Sequence, residues 1–126
     1  MKIIKSALIS FVPASHEDPA DPGVLKKVLF KAEDFAKGQV QVINWAKLLP
    51  GKSFQLHYHE DMDEVFIILT GKVSVYIDQQ EGELCAGDAL LISKKEVHTM
   101  KNPSSVPVEY IVLGIAGSEH GKTILV

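Results

Sequence analysis

The chain has 126 residues and a mass of 13.8 kDa, enough for one domain and too little for a second with its own core. At 46% hydrophobic and 23% charged it has the composition of a globular protein, which excludes disordered and collagen-like chains. Thirteen basic against sixteen acidic side chains, net −3, offer no positive field for nucleic acid or anionic lipid, and one cysteine, Cys85, excludes a disulfide framework.

At the N-terminus Lys2 and Lys5 precede a short apolar stretch with small residues near Val12 and Ala14, the outline of a secretory leader. Ser6 and Ser10 interrupt it, so the reading is cytoplasmic, and no run approaches the roughly 20 apolar residues of a membrane span. Ser15 to Gly23, with two prolines and three acids, reads as an exposed loop in which His16 is solvated. From Val24 to Lys37 the apolar spacing is ambiguous; it is read as a strand over 27–30 and a helical turn over 32–36, ended by Gly38. Beyond Gly38, short Val-, Ile- and aromatic-rich runs give strands at about 40–48, 54–59, 64–69, 73–78, 89–92, 97–101 and 107–115. Pro50-Gly51, Thr70-Gly71, Glu81-Gly82, Ala86-Gly87-Asp88 and Asn102-Pro103 supply the breaks. Many short strands without a long helix make an all-β sandwich or small barrel.

In 64–69 both faces are apolar, with Glu64, Phe66 and Ile68 on one and Val65, Ile67 and Leu69 on the other. A homodimer interface, or an N-terminal strand folded over it, is expected to cover the outer face.

The stretch from Gly51 to Gly71 carries the chemistry. His57 and His59, two apart in a strand, share a face about 7 Å apart. A four-residue turn brings Glu64 back at the start of the next strand, and His98 lies in another β segment beyond Gly87. Three imidazoles and a carboxylate suit one divalent transition ion, Fe, Mn, Co, Ni, Cu or Zn, with positions left for water or a ligand.

Gly51, His57, His59, Glu64 and Gly71 occupy every fixed position of the first cupin motif, G(x)5HxH(x)3–4E(x)6G. Gly87, His98 and Asn102 fit the second, G(x)5PxG(x)2H(x)3N, where Ser93 replaces the proline and Lys95 the glycine. The chain thus resembles the cupin superfamily over about 51–102, with a 15-residue spacer, 72–86, like that of small microbial cupins. The two departures lie in the turn before His98 and remove no ligand.

The resemblance implies a double-stranded β-helix, a jelly-roll-like barrel with the ion inside. On that basis residues 1–35 form an extension on the barrel or a partner, 36–117 the barrel and 118–126 a tail. The implied ligands are His57, His59, Glu64 and His98, with Glu64 as a possible catalytic base. Strand alternation from these ligands turns Gln55, Phe66, Ile68 and Met100 into the pocket wall, and Tyr58 away from it. Asn102 ends its strand. Trp45 and Tyr110 default to the core, Cys85 to a packed thiol, and His120 to a solvated tail loop. The run Glu60 to Asp63 reads as a rim turn.

The absence of arginine bears on substrate. Cupins that decarboxylate oxalate, epimerise sugar nucleotides or oxidise thiols generally clamp an anion with an arginine fork, which lysine does not reproduce. Neutral or aromatic molecules, diketones and enediolates gain weight. Three readings stay open: a metal-dependent, dioxygenase-like enzyme acting on a small organic molecule, a non-catalytic binding or sensing module, and a metal-assisted sugar isomerase.

Overall fold

The computed structural model describes residues 4–34, 39–117 and 122–126. Among them the chain forms β1 (Val12–Pro13), β2 (Val24–Lys31), β3 (Val40–Leu48), β4 (His57–His59), β5 (Met62–Ile68) and β6 (Lys72–Ile77). It continues through β7 (Gln80–Cys85), β8 (Ala89–Ile92), β9 (His98–Lys101), β10 (Val108–Ala116) and β11 (Thr123–Leu125). Single 3-10 turns at Ser6–Leu8 and Ala32–Asp34 are the described helical pieces. No helix among the described residues is long and apolar enough to cross a membrane.

The strands make two antiparallel sheets, one ordered β1-β2-β3-β10-β5-β8 and the other β11-β4-β9-β6-β7. This all-β sandwich, a double-stranded β-helix, follows from strict alternation. In β10 every second residue from Val108 to Ala116 is buried, and β5 buries Met62, Glu64, Phe66 and Ile68. Leu48, Ile68, Val73, Ile92, Met100 and Val108 are essentially sealed from solvent and form the floor between the sheets.

Several elements depart from the sequence expectation for local reasons. β2 runs from 24 to 31, and its pairing with β3 slips between Val28 and Phe30. That bulge breaks the two-residue period and produces the near-helical spacing of its apolar residues. The helical turn expected over 32–36 is a 3-10 turn at Ala32–Asp34, with 35–38 outside the described residues. Glu81-Gly82 is no turn but the middle of β7, an exposed edge strand with almost no apolar face to signal it. Met62 does not belong to a rim turn either; it is a buried residue of β5. Cys85 is exposed rather than packed, its thiol 3.3 Å from Asp88 Oδ2, a carboxylate that pushes the thiol pKa up. His120 lies outside the described residues.

The outer face of the six-stranded sheet is covered in part. Phe11 lies beneath the ammonium groups of Lys27 and Lys47, at 4.7 and 4.2 Å from the ring centre, and Lys27 donates to Ser6 O at 2.9 Å. Trp45 donates across that face to Glu109 at 3.3 Å, so it lies outside the core. At the other end of the sheet Ile67 and Leu91 stand 36% and 61% exposed.

Candidate metal centre

Three of the four candidate ligands come from one sheet and the fourth from the other. His57 and His59 are the ends of β4, and His57 pairs directly with His98 of β9. Glu64 faces them from β5. One ligand atom from each residue lies within 4.8 Å of the corresponding atoms of the other three, and all four side chains are buried.

Each imidazole is oriented through Nδ1. His57 donates to Gln55 O at 2.6 Å, His98 donates to Glu96 O at 2.9 Å, and His59 Nδ1 lies 3.1 Å from Thr123 Oγ1. Outer hydrogen bonds of this kind fix the ring and direct Nε2 inward. The Ser93–Glu96 turn takes part directly. Glu96 Oε1 accepts from Ser93 N at 2.7 Å, and Lys95 N donates to His59 O at 2.8 Å. Lys95, at the motif's glycine position, adopts φ 68°, so the turn keeps a left-handed conformation that glycine holds without steric cost.

Electrostatics favours a cation here. Burial lowers the His57 pKa to about 3, against partial support from the Gln55 carbonyl, so its ring is neutral at neutral pH. Burial alone would raise Glu64, but hydrogen bonds from His59 at 2.8 Å and His98 at 3.2 Å outweigh it and hold the carboxyl at about 2. His59 Nε2 and His98 Nε2 converge on the same Glu64 oxygen, at 2.8 and 3.2 Å. A buried carboxylate held ionised beside three imidazole nitrogens is a site that a positive ion can enter. Three imidazole nitrogens and one carboxylate oxygen fit a divalent transition ion with coordination left over.

The cluster opens into a cavity of about 270 Å³ between the sheets. Phe66 lines it as expected, joined by Tyr110, Val112, Phe54 and Met62. Ile68 and Met100 point inward but belong to the sealed floor and not to the cavity lining. Gln55 is not a wall residue: β4 begins only at His57, so alternation does not extend back to it, and its side chain is exposed. Phe54 takes the buried position instead. Burial raises the Tyr110 phenol well above its ordinary range, so it stays neutral.

His16 is the largest correction. It is not solvated; it lines the cavity and stacks on His57, ring centres 4.3 Å apart and planes 25° from parallel. Its Nδ1 donates to Glu17 Oε2 at 2.9 Å, leaving Nε2 as the ring's acceptor. The buried Glu17 also accepts from Gly23 N at 2.7 Å and Gln55 N at 2.8 Å, tying the loop to the residues before β4. Residues this far apart in sequence gave no motif by which to find them.

The family model for the cupin domain matches residues 44–114. An uncharacterised protein of Methanocaldococcus jannaschii is 26% identical over 98% of this chain and 94% of its own length. The tetracenomycin polyketide synthase protein TcmJ of Streptomyces glaucescens is 28% identical over 85% of this chain and 68% of its own. Among solved structures, a predicted oxalate decarboxylase of Thermotoga maritima superposes with a TM-score of 0.80 at 24% identity, covering 91% of this chain and 99% of that one.

Proposed function

The chain belongs to the cupin domain family, and from that premise we propose that it is a metal-dependent enzyme acting on a small enolic or aromatic molecule, with dioxygenase-like oxidation as its reaction. The observation that carries the reading is the buried His57, His59, Glu64 and His98 cluster at one end of a largely apolar cavity. When bound, the ion supplies Lewis acidity toward ligand oxygens and, if redox-active, electrons for oxygen chemistry.

The chain's own groups set the rest. Glu64, held ionised, serves as an anionic ligand and is too weakly basic to be the main proton acceptor at neutral pH. Phe66, Phe54 and Val112 exclude water and flank a flat ligand, and Tyr110 offers a neutral phenol. With no arginine in the chain, a dicarboxylate finds, among the described residues that line the cavity, only Lys26 as a lysine partner, and burial lowers its pKa. That favours enols, catechols and diketones over oxalate, the ligand class in the Thermotoga protein's name, and agrees with the polyketide association in TcmJ's.

The second reading, a binding module without turnover, rests on the same cluster and differs only in outcome. We also propose a homodimer closed over Ile67 and Leu91, the uncovered end of the outer face. Oxygen uptake by protein loaded with Fe, Mn, Ni or Cu, with catechol, a flavonol and acetylacetone, decides between enzyme and module. Uptake abolished by His57→Ala supports the enzyme; tight binding of all three without uptake under any metal supports the module.

A further inference from the structure

Among the described residues, one buried side-chain atom has no hydrogen-bond partner: Asn44 Oδ1. The Asn44 residue lines the cavity described above, with Oδ1 itself sealed from solvent. In the sheet Asn44 stands between Val28 of β2 and Val112 of β10, so neither cross-strand neighbour can answer it. A buried acceptor left in this state is costly to a fold, and a leucine of similar size would remove the cost. A polar group kept there against that cost is accounted for by what enters the cavity.

The register gives its relation to the metal cluster. Glu64 lies in the row Val42, Gly114, Glu64, and Asn44 in the next inward-facing row, with Val112 and Phe66. Two strand spacings across and two residues along separate the Cα atoms of Asn44 and Glu64 by about 12 Å. The cavity of about 270 Å³ that both residues line has room for one substituted ring. Gly114 stands between Val42 and Glu64 in the Glu64 row and leaves room for the side chains of Met62 and Val42, which pack over it and line the cavity wall there.

We propose that Asn44 is a specificity-determining residue: a turn of its amide brings the sealed Oδ1 to the cavity, where it accepts a hydrogen bond from a hydroxyl at the end of the ligand remote from the metal. The cavity then selects hydroxylated ring chelators over counterparts that lack that hydroxyl. A site built to pair with a hydroxyl discriminates strongly because the analogue without it leaves the protein group unpaired. The inference rests on the reading of the cavity as a site for metal-chelating rings, which the test separates from it.

Kojic acid and allomaltol bind metals through the same pair of ring oxygens and differ in one distal hydroxyl. Calorimetric titration of the Zn(II)-loaded protein with each gives their affinity ratio without turnover. Wild type is expected to favour kojic acid about 5- to 10-fold, with the ratio near one in both Asn44→Leu and Asn44→Ala. In metal-free protein Asn44→Leu is expected to raise Tm by a few degrees, a gain that a residue with a structural partner would not show. If wild type binds neither compound, the ring-chelator reading fails and this inference with it. If both bind but wild type shows no preference, or either variant keeps it, or Asn44→Leu lowers Tm, the assignment to Asn44 alone is overturned.

Discussion

Acidifying the metal-free protein should destabilise it along a course set mainly by His57. The folded ring has a pKa of about 3 against 6.5 in an open chain, chiefly through burial. The folded value is depressed, so below 6.5 the unfolded chain takes the proton first. The stabilisation is complete above that value and is lost progressively as pH falls toward 3. Between pH 7 and 4.5 the loss from this one group comes to about 2.5 kcal/mol. Glu64, lowered from 4.5 to about 2, has the same sign, but its loss develops mostly below 4.5 and adds only some tenths in this window. Burial also lowers His16, which acts in the same direction over the same range. The sum, about 3 kcal/mol, corresponds to a drop in Tm of roughly 10 °C for a domain of this size. Urea unfolding of chelator-treated protein at stepped pH measures it directly. In His57→Leu the difference between pH 7 and 4.5 should shrink by about 2.5 kcal/mol. A His57→Leu protein that loses stability as steeply as wild type would refute the placement of a neutral imidazole in the core.

Three further outcomes follow from individual contacts. Lys95→Gly relieves a left-handed φ of 68° without losing the backbone bond to His59, and should stabilise by about 0.5–1 kcal/mol in chemical denaturation. Asn102, fully buried, donates to Leu48 O at 3.1 Å and Val106 O at 2.7 Å and accepts from Ser104 N at 3.0 Å. Asn102→Ala should therefore cost about 2–4 kcal/mol while leaving metal affinity within a factor of two, as equilibrium dialysis would show. Leu91→Glu places a charge on the uncovered outer face; it should shift the sedimentation profile from dimer to monomer, and an unchanged profile would remove that interface.

The parts legible in the sequence are those in which residues close along the chain are also close in space. His57, His59 and Glu64 sit on two strands joined by a short turn, so spacing alone places three ligands together, and His98 follows after the β6–β7 hairpin and β8. What the sequence did not reveal depends on packing between distant segments. His16 reaches the cavity because Glu17 binds the backbone of Gly23 and Gln55, contacts without a sequence signature. Thr123 reaches His59 because β11 pairs with β4, with register Thr123 opposite His59, from a segment with the composition of a tail. Alternation failed where regular strand fails: at Gln55, ahead of the start of β4, and at the Val28–Phe30 bulge. Asn102 was read as a strand end and is that, but its burial and four side-chain bonds also tie the turn to the end of β3.

Elemental analysis of protein reconstituted with a single divalent metal and freed of excess ion, wild type beside His98→Ala, tests the central claim most directly. Wild type should retain close to one ion per chain and the variant almost none. Equal metal content in the two proteins, or none in either, would contradict a shared cation held between the two sheets.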